Sequence, residues 1–369
     1  DAGHVYAIPN SSQQMRIGYL AVWNKNDGQD VYAGRGYSLK GIPSSIVGTF
    51  SRAAMTTVAA QVRRGSNYGT SQSLSITPEG PDPLSWLGQG VANTVGPYRS
   101  TLHLSPGTWT LASDDSLSTG GGVGYLTQRL TAAPGRTYAP VFYRSTFGPA
   151  GWLPYVQSGR VRFDTSDMFQ DPSSQGFDGI VKATSTLSLG GRTIARGSES
   201  GYGSGNPEFS GKLPSTGWYT LSVAASRYYP SVARPGYMLS TASTLKFHFS
   251  ANPRSNVTVP GFLTQFIPAG LNMHSAAPPR SRTDVTLWLP RPANPNASTP
   301  AGTVKSVQVR ASSDGGRTWH TVSVTHSGGH WTAHVTNPAS GGAVSLRSTV
   351  TDTHGNSVET TVYRAYAIG

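Results

Sequence analysis

Apolar and polar residues alternate through the last third of the chain. In "TVKSVQVRASSDGG", Val304, Val307 and Val309 lead to a turn at Asp314-Gly315-Gly316. "RTWHTVSV" places Trp319, Val322 and Val324 before a second turn at Ser327-Gly328-Gly329, and "HWTAHV" puts Trp331, Ala333 and Val335 on one face. "AVSLRSTVTD" alternates Val344, Leu346, Ser348 and Val350, turns at "THGN" and enters "VETTVYRAY". Short strands with turn signals every ~8–12 residues predict a β-sandwich of immunoglobulin or fibronectin type, with the two tryptophans filling its core. Upstream, the Pro-rich "AAPPRSRTDVTLWLPRPANPNASTPAG" contains one strand, "TDVTLWLP", and "GFLTQFIPAGLNM" is the expected first edge of a C-terminal domain, residues 260–369.

The middle of the chain continues the pattern. "GRVRFDTS" reads as a strand, "TSTLSLGGRTIARG" as a hairpin through Gly190-Gly191, and "STASTLKFHFS" puts Leu245, Phe247 and Phe249 on one face. Residues 158–259 are therefore expected to form a jelly-roll-like sandwich, and residues 1–157 an N-terminal one with longer strands and less regular turns. "AAMTTVAAQV" has a helical composition, but Thr56, Thr57 and Val58 favour a strand. The predicted fold class is all-β: tandem antiparallel β-sandwich domains, jelly-roll-like and then immunoglobulin or fibronectin-III-like.

Composition supports this reading. The 369 residues include 44 Gly and 26 Pro but only 12% charged residues, a turn-rich chain with more than one core. With no cysteine, neither disulfides nor thiolate metal sites are available. No apolar run is long enough for a membrane span, and an export signal is expected upstream of Asp1. The net charge of +12 comes mostly from arginines scattered along the chain, Arg63-Arg64 being the densest spot. That dispersal argues against nucleic acid, which calls for a clustered patch, and leaves anionic cell-surface polymer as a plausible partner.

Few constellations suggest chemistry. Gly69-Thr70-Ser71 matches the tripeptide around a subtilisin nucleophile, but alternation follows it where a helix should open. Asp27, Asp30 and His4 precede it only in turns or the terminal arm, so Ser71 is expected in a strand. His320, His326, His330 and His334 crowd the last domain, and His326 and His330 flank a hairpin turn. Alternate strand residues sit about 6–7 Å apart, too far for an easily shared metal, and no metal is expected there. Asp114-Asp115 and Asp164, Asp167 and Asp171 are acidic loops that read as turn chemistry, with calcium the less favoured alternative. Glu79, Glu199 and Glu208 lack a pairing that would suggest glycoside hydrolysis. Tyr228-Tyr229 and Trp152 are aromatics able to stack on sugar rings, although packing is the commoner use.

The tail carries a resemblance. "VQVRASSDGGRTWHTVSV" and "PASGGAVSLRSTVTDTHGNSVETTVYRAYAIG" resemble the C-terminus of large secreted actinobacterial subtilisin-like proteases, through Ser313 to Trp319, Gly342 to Arg347, Asp352, Gly355-Asn356 and Arg364-Ala365-Tyr366. "RTYAPVFYRSTFGPA", "DMFQDPSSQGFDG" and "STLKFHFSANP" extend it more loosely upstream. No position matches a catalytic residue of that family. The resemblance implies a secreted, extracellular, non-catalytic accessory region without a cofactor, whose partner is the parent protease's catalytic domain or its protein substrate. The alternative is a stand-alone secreted protein- or carbohydrate-binding protein, such as an inhibitor or adhesin.

Overall fold

The alternating segments of the C-terminal third are strands in the computed structural model of the chain. The structure describes residues 4–9, 15–25, 29–38, 51–64, 71–80, 88–116, 122–144, 146–178, 182–200, 208–227, 238–295 and 297–369. Among these there is no α-helix, only two 3-10 turns at Arg52–Ala54 and Ser166–Met168. The chain is all-β and built of β-sandwiches. It divides into two compact units, Asp1–Tyr143 with Ser174–Gly176, and Arg144–Ser173 with Phe177–Gly369.

In the first unit one sheet runs in the order His4–Pro9, Met15–Lys25, Asp30–Ser38, Tyr98–Leu104, Thr56–Val62 and Thr137–Tyr138. The ambiguous "AAMTTVAAQV" is thus a strand, its alternate residues buried as β-branching at Thr56, Thr57 and Val58 favours. Pairing is not purely antiparallel: Asp30–Ser38 runs parallel to Tyr98–Leu104, and Thr137–Tyr138 and Val141–Phe142 run parallel to Thr56–Val62. A second sheet passes through Gly122–Ala132, Gly107–Ser116, Ser71–Pro78 and Gln89–Val95. Val31, Ala33, Val58, Leu102 and Leu104 of the first sheet and Leu74, Ile76, Trp109, Leu111 and Leu126 of the second are wholly buried. Burying these side chains removes apolar surface from water at roughly 25 cal/mol per Å². The period of two then commits Tyr32, His103 and Thr57, which lie between the core positions, to the opposite face of the first sheet.

The second unit contains the middle and C-terminal sandwiches. The middle one sets the sheet Arg192–Ser200, Lys182–Leu189, Gly217–Ser226 and Ala242–Ala251 against a smaller sheet of Glu208–Lys212, Arg160–Asp164, Tyr155–Gln157 and Val257–Thr258. Phe163 meets Phe247 edge-on, with ring centroids 5.8 Å apart. In the C-terminal sandwich, His320–Ser327 changes sheets along its length. Its first residues pair with Val304–Ser312, and its later ones pair with His330–Thr336 across the Gly328-Gly329 turn, where both glycines have positive φ. Gln265–Pro268 is the edge strand of this sandwich. Phe266, Val285, Leu287, Val309, Val335, Leu346, Val362 and Tyr366 fill its core.

The expectation for the two tryptophans needs correction. Trp331 packs against the core margin, but Trp319 lies outside it. Its ring sits under the Arg347 guanidinium, 4.1 Å from the centroid, and its Nε1 donates to the Gly316 carbonyl at 3.0 Å. An arginine stacked on indole, together with a satisfied N–H, holds this residue at the surface as well as a core would.

One strand joins the two sandwiches. Ser357–Ile368 pairs on one side with Gly342–Asp352 and on the other with Ala242–Ala251, from His248 opposite Ser357 to Ala242 opposite Tyr363. At Arg364, with φ +57°, the strand bulges out of register. Beyond it, Ala367 and Ile368 run parallel to Ala276–Ala277.

Candidate functional site

Most of the clusters suggested by the sequence fall on described strands and loops. Ser71 opens the strand Ser71–Pro78 and lies opposite Val95, while Gly69, Thr70, Asp27 and Tyr228-Tyr229 fall outside the described residues. His4 begins a strand opposite Leu20. Arg63 continues the strand line past Val62, its amide donating to the Phe142 carbonyl at 3.3 Å, and Arg64 follows it. Trp152 is half exposed at 52%.

Two of the four histidines, His326 and His334, take separate partners. His326 stacks on Trp331, with centroids 4.1 Å apart. His334 Nδ1 donates to Asp284 Oδ1 at 2.8 Å, and its Nε2 accepts from Thr325 Oγ1 at 2.9 Å. Hydrogen bonds from His334 and Arg282 hold the Asp284 carboxyl below its ordinary range. This order of hydroxyl, imidazole and carboxylate is that of a nucleophilic relay. Its hydroxyl, however, belongs to a mid-strand threonine registered opposite Thr332, on three neighbouring strands of one sheet. Such a position supplies no helix N-terminus or tight turn to stabilise an oxyanion, and the chain of bonds acts as a cross-strand tie. Among the described residues no His, Asp or Glu group is arranged to hold a metal ion.

The acidic loops are largely turn chemistry. Asp164 Oδ1 accepts from the Ser166 amide and hydroxyl, and Asp171 Oδ1 from those of Ser173. The fold nevertheless gathers carboxylates that the sequence scatters. Asp164 lies opposite Glu208, and Thr165 Oγ1 donates to Glu199 at 3.2 Å. Burial raises the pKa of Asp167 and of Glu199, and the Asp164 charge adds to both shifts. Burial likewise raises Asp114, against a hydrogen bond from Ser73. Asp115 follows it on the same strand, opposite Gly124. Glu79 goes the other way. Burial pulls it up, but hydrogen bonds from Thr110 and Arg129 and the arginine charge outweigh that and leave it lowered.

Among the described residues, one well-formed site has no counterpart among those clusters. On the outer face of the first unit's larger sheet, Trp23, Tyr32, His103 and Thr57 form one row across four strands. Trp23 and Tyr32 have ring centroids 5.4 Å apart at 32°, and Tyr32 stacks on His103 at 4.3 Å. His103 is 5% exposed and donates Nε2–H to Asp30 Oδ1 at 2.9 Å, which fixes the ring beneath Tyr32. Two residues along each strand the row gives way to Ala21 opposite Gly34, and two further on to Tyr19 opposite Gly36. The Tyr19 ring occupies the space where a Cβ at Gly36 would stand, so glycine is required for it to lie flat there. Ala21 and Gly34 thus form a low floor beside an aromatic wall. Arg52 and Met55 complete a cavity of about 510 Å³, within the size range of small-molecule sites.

The sequence did contain a signal for this trough. "YLAVW" and "YAGRG" alternate aromatic and small residues on the face opposite Leu20, Val31 and Ala33. Aromatic residues facing away from a core lack a packing explanation. What the sequence could not supply was the pairing of distant strands that sets Trp23, Tyr32 and His103 side by side.

No protein-family model matches the chain, and no curated protein matches it. Among solved structures, the crystal structure of chicken CNTN1 FN1-FN3 domains is similar at 9% identity, over 81% of this chain and 91% of that one, with a TM-score of 0.17. Escherichia coli alpha-2-macroglobulin activated by porcine elastase is similar at 11% identity, over 95% of this chain and 31% of that one, with a TM-score of 0.18.

Proposed function

We propose that this chain is a non-catalytic accessory region of a secreted subtilisin-like serine protease, acting as a rigid framework that supports the catalytic domain or presents substrate to it. The observation that carries the reading is that Asp314, Asp352, Asn356, Arg364 and Tyr366 of the tail pattern are occupied in building the frame. Asp314 accepts from Ser312 Oγ at 2.7 Å and from the amides of Arg317 and Thr318, closing the Asp-Gly-Gly loop. Asp352, 1% exposed, accepts from the amides of His354 and Asn356, and Asn356 Oδ1 in turn accepts from the Ser250 amide of the middle sandwich. Arg364 Nε donates to the Met238 carbonyl at 2.6 Å, and the buried Tyr366 hydroxyl donates to Asn337 Oδ1 at 2.9 Å. A motif used in this way supports a framework role.

Incubating the purified chain with casein and a fluorogenic peptide panel tests the reading. No hydrolysis and no labelling by a fluorophosphonate are expected, whereas the full-length gene product should show both. Hydrolysis by the chain itself, lost in Ser71→Ala, would overturn it. The aromatic trough favours a second reading, a stand-alone secreted binding protein. A reading frame that places a signal peptide directly before Asp1, with no catalytic domain, would support that alternative instead.

A further inference from the structure

We propose that the trough between Trp23, Tyr32 and Arg52 is a binding site for an acidic saccharide, one whose pyranose rings carry carboxylates. The argument begins with shape. The floor at Ala21 and Gly34 has almost no side chain, and aromatic rings stand at both ends, Tyr19 and Trp23 being four residues apart on one face. At about 3.3 Å per residue that separation is roughly 13 Å, room for two to three linked sugar rings. Trp23 is 61% exposed, the most exposed of the large hydrophobic residues described, although the Tyr32 ring lies beside it. An indole left open at a preformed concave site suits the apolar C–H face of a sugar ring, which loses little hydration on stacking.

Charge then narrows the ligand. Among the described residues Arg52 is the cation that lines the cavity, and no carboxylate pairs with it. Its planar fork matches a carboxylate on the ligand. Asp30 stands on the same face, two residues from Tyr32, held by His103 and 31% exposed. A carboxylate there accepts hydrogen bonds from sugar hydroxyls and repels any anionic group, so the ligand's carboxylate belongs at Arg52 and its hydroxyls at Asp30. One cation, one hydroxyl acceptor and stacked aromatic faces complement a sugar acid better than a neutral glucan or a nucleic acid. The chain's net charge of +12 assists the approach of such a polymer without choosing among polymers.

Affinity electrophoresis through gels containing polygalacturonate, neutral dextran or oligothymidylate separates these sources of binding. Wild type should be retarded most by polygalacturonate. Trp23→Ala keeps the net charge and should weaken that retardation about tenfold, the scale of a lost stacking contact. Arg52→Gln should lose affinity for polygalacturonate and not for dextran, and Trp288→Ala, an exposed tryptophan in the other unit, should behave as wild type. Trp23 and Arg52 are both exposed, so a thermal melt unchanged from wild type is expected for each variant. Three outcomes overturn the proposal: no retardation of wild type by polygalacturonate, equal retardation of Trp23→Ala, or stronger retention by oligothymidylate. The second assigns binding to net charge, the third to nucleic acid.

Discussion

Replacing Leu346 by alanine should loosen a strand in a different sandwich. Leu346 is wholly buried on Gly342–Asp352, registered opposite Val362 of the C-terminal strand. Truncating a buried leucine typically costs about 3–5 kcal/mol, part of it from the cavity left behind. If the C-terminal sandwich were an independent bead, that loss would stay within it. Instead the same strand pairs over seven registered positions with Ala242–Ala251. Three further bonds reinforce the seam: Ser250 N to Asn356 Oδ1, Ser240 N to the Arg364 carbonyl, and Arg364 Nε to the Met238 carbonyl. Opening the C-terminal sandwich would strip Ala242–Ala251 of a ladder in which the wholly buried Phe247 lies opposite the wholly buried Val358. The two sandwiches are therefore expected to open together.

Hydrogen exchange followed by mass spectrometry reads this directly. At about 1.4 kcal/mol per decade, a loss of about 3 kcal/mol lowers the protection of globally exchanging amides by roughly two orders of magnitude. The drop should appear equally in peptides covering 304–312 and 242–251. Phe247→Ala, made from the middle sandwich, should reproduce it in reverse. Wild-type protection retained over 242–251 in Leu346→Ala would refute the shared opening, and with it the rigid framework.

Two smaller predictions concern the tail pattern. Tyr366→Phe leaves Asn337 Oδ1 without its 2.9 Å donor in a buried site, which should cost about 1–3 kcal/mol in urea unfolding; an unchanged midpoint would remove the hydrogen bond from the account. Hydrogen bonds from Thr318, by hydroxyl and amide, and from Ser312 hold the Asp314 carboxyl well below the ordinary carboxylate range. Because the folded pKa is the lower one, its stabilising contribution is complete above the unfolded value, about 4, and disappears only as the pH falls through the folded value. Carboxyl-carbon NMR should show no Asp314 midpoint at pH 3 or above, and a midpoint near 4 would mean the loop bonds do not form in solution.

Alternation at Val344, Leu346 and Val350, and at Leu245, Phe247 and Phe249, was sufficient to define strands, faces and the sandwich class, because period-two burial is a local property of the chain. Sheet membership is not local. Nothing in "STLKFHFS" or "SVETTVYRAY" states that these strands are neighbours, and the parallel pairing of Asp30–Ser38 with Tyr98–Leu104 joins segments about seventy residues apart. Trp319 escaped for a related reason. A tryptophan on an alternating strand reads as core, and the distant Arg347 that gives it a surface partner leaves no trace in that pattern.

The same distinction explains why a tripeptide match carried little weight and the trough went unread. Gly69-Thr70-Ser71 is a contiguous match, and contiguity is cheap in a chain with 44 glycines. The trough is assembled from residues 19–23, 32–36, 52–55 and 103, no two groups adjacent in sequence. Its sequence trace is negative: positions where apolar rings face away from a core that Leu20, Val31 and Ala33 already fill. In a sheet with one face committed to packing, an aromatic on the other face must be explained by something outside the fold. Tyr32 is partly explained by His103 and Asp30, and Tyr19 by Gly36. Trp23 has the Tyr32 ring on one side and open solvent on the other, and that remaining face is where a ligand accounts for what the fold does not.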